Sequence, residues 1–272
     1  MRGADRLGVR WTVGDVSERG FEALRLSIWG AWKLFGPEAR YGVCVNSIPL
    51  KQAQVQAGSL PEGVLWHDAT GEIPAFLKAH FDGGMAEGVG WKFAPLRVFP
   101  DRHELALDND CILWAMPAAV HAWLEEGHLT RCLIAEDVRP CFGQFAARCG
   151  SQPRNSGIRG VPPAFDLERA LRTVLDEQGV QMTSELDEQG LQVAAVRAGG
   201  EPHVVEVDEV SICSPFPPHR PRLGTCGAHF VGLNVKQQPG RADGASTLAA
   251  LAAHWDGLRR EVARNVGARL TA

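Results

Sequence analysis

The 272-residue sequence has no excess of positive charge, no Lys/Arg-rich run, no C-x-x-C pair and no long apolar stretch. Each absence removes a class of function. A net charge of −4 gives no electrostatic footprint for nucleic acid, so no nucleic-acid partner is expected. The cysteines, at 44, 111, 132, 141, 149, 213 and 226, are odd in number and lack zinc spacing. That argues for reduced thiols and a cytoplasmic location over a disulfide framework. The first residues carry no hydrophobic signal region and no apolar run reaches membrane-spanning length, so no transmembrane segment is expected. G-x-S-x-G and H-E-x-x-H are missing too, which removes the serine-hydrolase elbow and the zincin site. Glycines 83, 84, 88 and 90 fit neither the P-loop nor G-x-G-x-x-G, and read as a flexible loop or a gating loop over an active site.

What is present is an alternation of strand and helix signals. Residues 7–13 read as a first strand ending at Gly14-Asp15, and apolar positions 21, 24, 28, 32 and 35 give a helix. Residues 41–45 and 64–66 read as strands, and 91–98 as a short helix limited by Pro95. A helix follows Pro117 and closes at Gly127, and 131–135 is a strand ending in Glu136-Asp137, a pair that reads as solvated loop. Residues 151–163 read as irregular or short-strand territory. Asp166 caps a helix with apolar positions 167, 170, 171, 174 and 175 that ends at Gly179, and another begins near Thr183 or Ser184. Residues 204–213 suggest strands. The last helix has an apolar stripe at 248, 251, 255, 258 and 262. The pattern predicts one α/β domain over residues 1–272 with helices packed on a sheet.

The stretch around which this is organised is Leu105-Ala-Leu-Asp108-Asn109-Asp110-Cys111-Ile-Leu113. A short apolar run entering an acidic triplet suits a buried strand whose end carries two carboxylates on the same side. Facing a cleft there, they suit a hard divalent cation. Fourteen aspartates among 272 residues give roughly 0.7 Asp-x-Asp pairs by chance, so the pair gains meaning only from its position.

Four further features follow in order: Trp91-Lys92 before the triplet, then Asn155-Ser156-Gly157, Asp187-Glu188-Gln189-Gly190 and His229-Phe-Val-Gly232. Together they resemble the nucleotide-sugar-dependent glycosyltransferases of the GT-A fold, most of all the glycogenin-like family eight. The resemblance covers about Lys92 to Lys236. It implies a GT-A-like mixed sheet with helices on both faces, a nucleotide-binding half over about 1–115 and an acceptor-side half over about 116–272. It further implies that Asp108, Asp110 and His229 hold Mn²⁺ (or Mg²⁺) on the diphosphate of a nucleotide-diphosphate sugar, UDP-sugar favoured. Lys92, Asn109, Gly232 and Lys236 would bind the donor, as would Thr12 and Asp15 where the family's first strand ends. The family's usual lysine falls three residues after the glycine and precedes Pro-Trp, a pattern that Lys236-Gln-Gln lacks. Asn155, Asp187 and Glu188 would line the sugar and acceptor side, with Asp187 or Glu188 the base in an inverting relative and no base needed in a retaining one. The implied activity is hexosyl transfer to an acceptor. Its alternatives are a non-catalytic sugar-nucleotide-binding or scaffold protein and a sugar-nucleotidyltransferase. The acidic, glycine-poor Val13-Gly-Asp-Val-Ser-Glu18 disfavours the latter.

Overall fold

A computed structural model describes residues 6–81, 90–125, 130–176, 180–234 and 244–268. In β1 (Leu7–Val13) alternate residues serve two faces. Leu7, Val9, Trp11 and Val13 are buried in one apolar cluster with Phe21, Leu24 and Ile28 of α1 (Glu18–Phe35). Gly8 and Arg10 point the other way. A Cβ on Gly8 would lie 2.3 Å from the Phe99 ring, so the strand tolerates no side chain there. Ser17 caps α1 by accepting from Gly20 N at 3.0 Å, and Gly36, at φ 73°, ends it.

The main sheet has seven strands in the order β3-β2-β1-β4-β7-β6-β8. β3 (Val64–Asp68), β2 (Arg40–Val45), β1 and β4 (His103–Asp108) run parallel. β7 (Arg154–Val161) is antiparallel to both β4 and β6 (Leu133–Glu136), and β8 (His203–Val205) is parallel to β6. A smaller sheet orders β5 (Cys111–Leu113), β10 (Gly227–His229) and β9 (Val210–Ile212). On one face pack α1, α2 (Leu50–Ala57) and α4 (Ala118–Glu125). On the other pack α3 (Ala75–Lys78), α5 (Ala146–Cys149), α6 (Leu167–Asp176) and α7 (Glu185–Arg197). The last helix, α8 (Gly244–Val266), lies on α1, where Trp255 Nε1 and Arg259 Nη1 both donate to the Glu22 carboxylate. The expected mixed α/β sheet with helices on both faces is therefore present.

Three local expectations need correction. The apolar residues either side of the acidic triplet belong to different sheets, because the chain turns at Asn109-Asp110 and leaves β4 for β5. Of the two readings of residues 151–163, the strand is the one present, and it is longer than expected: residues 154–161 are strand, buried along the whole length. The short helix at 91–98 is a single 3-10 turn, Gly90–Phe93, because the residue before Pro95 is disfavoured in helical conformation. The glycines at 83, 84 and 88, together with Gly127 and Gly179, lie outside the described residues. Among the described residues no helix is long and apolar enough to cross a membrane.

Candidate metal and donor site

Strand register explains why residues far apart in sequence meet beyond the end of β4. Thr12 pairs with Asp108 at the last rung of β1 and β4. Past the turn, Cys111 of β5 pairs with His229 of β10, and Phe230 N donates to Asp110 O at 2.9 Å. His229 is thereby set beside the acidic triplet. Its Nε2 lies 3.5 Å from Asp108 Oδ2 and 3.3 Å from Asp110 Oδ1. One ligand atom from each of the three residues lies within 4.8 Å of the others. An ion with metal–oxygen bonds of about 2.1 Å needs ligand atoms gathered on this scale.

The turn itself is held by amides. Asn109 and Asn234 exchange hydrogen bonds at 2.6 and 3.0 Å, and Asn109 Nδ2 also reaches Gly20 O of α1. Asn234 Nδ2 donates to Asp110 Oδ2 at 3.0 Å. The other oxygen, Asp110 Oδ1, is buried and faces the His229 ring nitrogen at 3.3 Å, with no amide or hydroxyl donor among the described residues. A buried anionic oxygen needs a cation beside it, which is the imidazolium of His229 in the metal-free protein and a metal ion once the imidazole is neutral. Two carboxylates and an imidazole suit a divalent first-row ion, so the donor set fits the implied metal.

Gly157 of β7 makes this approach possible. A Cβ there would lie 2.4 Å from His229 Cε1, so the imidazole stacks directly on bare backbone. The β6–β7 register shifts between Ile134 and Ala135, and the irregularity presents Asn155 and Ser156 to the same space.

Lys92 lies in the 3-10 turn before β4, with Nζ 2.9 Å from Asp108 Oδ2 and 3.4 Å from Glu188 Oε2. Burial would lower its pKa, but the neighbouring carboxylates of Asp108 and Glu188 outweigh burial and raise it. Burial raises the Glu188 carboxyl, with Lys92 opposing. For His229, burial works downward, yet Asp110 and Asp108 hold the imidazole above its ordinary value.

These groups line a cleft of about 700 Å³ that also takes in Thr12, Gly14, Trp91, Asp137, Asn155, Gln189, His219 and Gly232. Most of the expected site residues are therefore gathered in one place. Thr12 lines the cleft while its Oγ1 accepts from Arg10 at 3.1 Å. Asn109 lines it too, although its amide is engaged in the turn. Asp15 is exposed and is not part of the lining, and its backbone N–H is donated to Ser47 Oγ. Asp187 differs from its neighbour Glu188. Its carboxylate caps α7, accepting from the backbone N–H groups of Thr183, Ser184 and Gln144, and is absent from the cleft lining. Lys236 lies outside the described residues.

Two contributors stand apart from the expected set: for Asp137 a part in the site is the less favoured reading of a strand-ending pair, and His219 is not singled out. Asp137, read as solvated loop, is buried, and its Oδ2 accepts from Asn155 Nδ2 at 3.0 Å, with Gln189 Nε2 at 3.5 Å. Glu136 beside it is half-buried and accepts from Val207 N. His219, from the Pro-rich turn, has a buried Nδ1 without a hydrogen-bond partner among the described residues, and burial lowers its pKa. For Asp137 the one signal is its position at the end of a strand, and nothing in the spacing around His219 signals the cleft.

No protein-family model matches the chain, and no curated protein matches it in sequence. Solved structures do. A galactosyltransferase, LgtC, in complex with donor and acceptor sugar analogues is 12% identical, with 97% of each chain covered and a TM-score of 0.57. Mouse xyloside xylosyltransferase 1 in its apo form is 13% identical, covering 78% of this chain and 88% of that one, with a TM-score of 0.50. At such identities the likeness establishes the fold, which is that of GT-A glycosyltransferases.

Proposed function

We propose that this protein is a metal-dependent glycosyltransferase that moves a hexose from a nucleotide-diphosphate sugar, UDP-sugar favoured, to an acceptor. The observation that carries the reading is the Asp108–Asp110–His229 cluster, beyond the carboxyl end of a parallel strand and open to a cleft of about 700 Å³. Open α/β sheets bind their ligands in that position. The GT-A fold supports it, and kinship with the glycogenin-like family eight would make the transfer retaining.

Asp108, Asp110 and His229 would hold Mn²⁺ in preference to Mg²⁺, since imidazole is a softer ligand than Mg²⁺ favours. When bound, the ion supplies Lewis-acid neutralisation of charge on the departing diphosphate. The chain's own groups do the rest by positioning and fixed electrostatics. Lys92 brings a cation to the same end of the cleft, and Gly14 and Gly232 offer close backbone approach to the donor. Glu188 would be the carboxylate on the side of the reacting sugar, and Asn155 with Gln189 would border it. Asp187 keeps α7 in place instead of serving as base. Residues up to about 115 would form the donor half and those beyond it the acceptor side. Seven unpaired cysteines support a reducing, cytoplasmic setting.

The test is release of UDP from a panel of nucleotide sugars with Mn²⁺, Mg²⁺ or chelator present. Turnover that requires metal and is lost in Asp110→Asn supports the reading. Donor binding with no turnover under any donor and acceptor would favour a scaffold, and indifference of donor binding to metal and to Asp110→Asn would sink the site.

A further inference from the structure

Behind the cleft, three buried side chains connect α7 to β7. Glu188 and Gln192 stand one helical turn apart, and Arg159 faces them from the strand, each of the three 2% exposed. Arg159 Nη1 donates to Gln192 Oε1, and Gln192 Nε2 donates to Glu188 Oε1. The second oxygen, Glu188 Oε2, lies 3.4 Å from Lys92 Nζ, which in turn holds Asp108 Oδ2 at 2.9 Å.

The direction of this chain is fixed by chemistry. A guanidinium can only donate, so Gln192 must present its carbonyl oxygen to Arg159. Its amide N–H is then committed to Glu188, whose Oε1 can only accept. A turned glutamine would set donor against donor at Arg159. The assembly is also shielded from bulk water. The cavity beside it measures about 20 Å³ and is lined by Thr12, Lys92, Asp108, Arg159 and Gln192 among others, which is room for about one water.

We infer that Gln192 and Arg159 are positioning residues that pin one oxygen of Glu188 and so aim the other at Lys92 on the floor of the donor cleft. The inference rests on the reading of that cleft as a donor site. It extends the working parts of the site to a strand position two residues beyond Gly157, well behind the ligand atoms. A carboxylate free to rotate would leave Lys92 on Asp108 alone and would unsettle the cation at the floor of the donor cleft.

The experiment compares Arg159→Met with Arg159→Lys, measuring Mn²⁺-dependent UDP release from UDP-sugar and the crystal structure of each variant. The expected result for Arg159→Met is a fall in kcat of about a hundredfold with little change in donor KM, the scale of a displaced catalytic group. Arg159→Lys keeps a donor-only cation and should recover most of that loss. The Arg159→Met crystal should show Glu188 Oε2 moved out of ion-pair range of Lys92, beyond about 4 Å. Equal losses in the Met and Lys variants, or Glu188 still on Lys92 in the Met crystal, overturns the proposal. Should Arg159→Met not fold, Gln192→Met removes the middle of the chain and is read in the same two ways. Should the wild type turn over no nucleotide sugar, the donor-site reading fails, and the position of Glu188 in the variant crystal still decides the positioning role.

Discussion

Carboxylates gather near both ends of strand β4, and the two groups meet the cost of leaving water differently. Near its start, Glu104 is 1% exposed and Oε2 accepts from Val98 N and Phe99 N, each at 2.6 Å. Its Oε1 lies 3.8 Å from both Arg10 and Arg97, and those guanidiniums also bond backbone carbonyls at Pro95, Arg102 and Pro162. Cations outnumber the anion, and the whole is closed by backbone. Past the other end, Asp108, Asp110 and Glu188 converge on one lysine and one imidazole. Anions outnumber permanent cations there. Each end leaves one buried carboxylate oxygen without a hydrogen bond among the described residues, Glu104 Oε1 and Asp110 Oδ1, so the balance of charge is what separates them. The first arrangement anchors the loops around β4. The second has stability to gain from an added cation. Buried charge by itself is thus no sign of function, and its local balance is the better guide.

The contrast breaks most visibly if charge is removed from each end in turn. Asp110→Asn keeps shape and the acceptor for Asn234, so its stability should remain within about 1 kcal/mol of wild type. Its Mn²⁺-dependent UDP release should fall by about a thousandfold, as for loss of a group acting on transition-state charge. Glu104→Gln should do the reverse. Leaving Arg10 and Arg97 buried without a counter-charge should cost about 3 kcal/mol in urea unfolding, with metal affinity of the folded protein unchanged. If the two variants lose stability equally, the distinction between the ends of β4 is wrong.

A third effect separates them by pH. His229 is raised above its unfolded value by Asp110 and Asp108. Its pairing therefore stabilises the metal-free fold fully below about pH 6.5 and is lost as pH rises through the raised value. A divalent ion needs the neutral imidazole, so Mn²⁺ affinity should climb as pH rises through the same window, approaching about tenfold per unit. Calorimetric titrations should give a steep slope for wild type and a shallow one for His229→Asn. A flat wild-type profile would remove His229 from the ligand set.

Regular apolar spacing made β1, α1, α6 and α8 legible, because each buries one face against a neighbour and shows that period in the chain. β7 was only half legible, since its interior holds Arg154, Asn155, Ser156 and Arg159, polar residues that leave a local reading undecided between an irregular segment and a short strand. Their burial is tolerated because partners arrive from elsewhere: Asp137 for the Asn155 amide and Gln192 for the Arg159 guanidinium, while Gln189 Oε1 accepts from the Ser156 backbone N–H. The same reason kept Asp137 the second choice, behind a solvated loop. The break between β4 and β5 was invisible too, as it depends on Asn109 meeting Asn234 across the fold. The acidic pair could be read from position, whereas Lys92 and His229 entered through resemblance alone, since only strand pairing brings them to it. Asp187 shows the limit of motif adjacency. It stands next to Glu188 in sequence, yet the capping pattern Ser184-Glu-Leu-Asp187 assigns it to the helix start.

That neighbouring pair supplies the smallest and most selective comparison. Burial would raise the Asp187 carboxyl, but the backbone N–H groups of Thr183, Gln144 and Ser184 hold it below the usual carboxylate range. A depressed folded value means its stabilisation is present above the unfolded value of about 3.9 and is lost as pH falls through the folded one. Asp187→Asn should therefore lower stability by about 1 kcal/mol near neutrality, the scale of a lost helix cap. The deficit should shrink as wild type is acidified below about pH 4, where the native carboxylate is itself neutralised. Urea midpoints for both proteins across that range give the measurement. UDP release by the folded variant should stay close to wild type, while Glu188→Gln, a change of the same kind one residue later, should lower it strongly. A turnover loss in Asp187→Asn as large as in Glu188→Gln, with stability unmoved, would return Asp187 to the reacting centre.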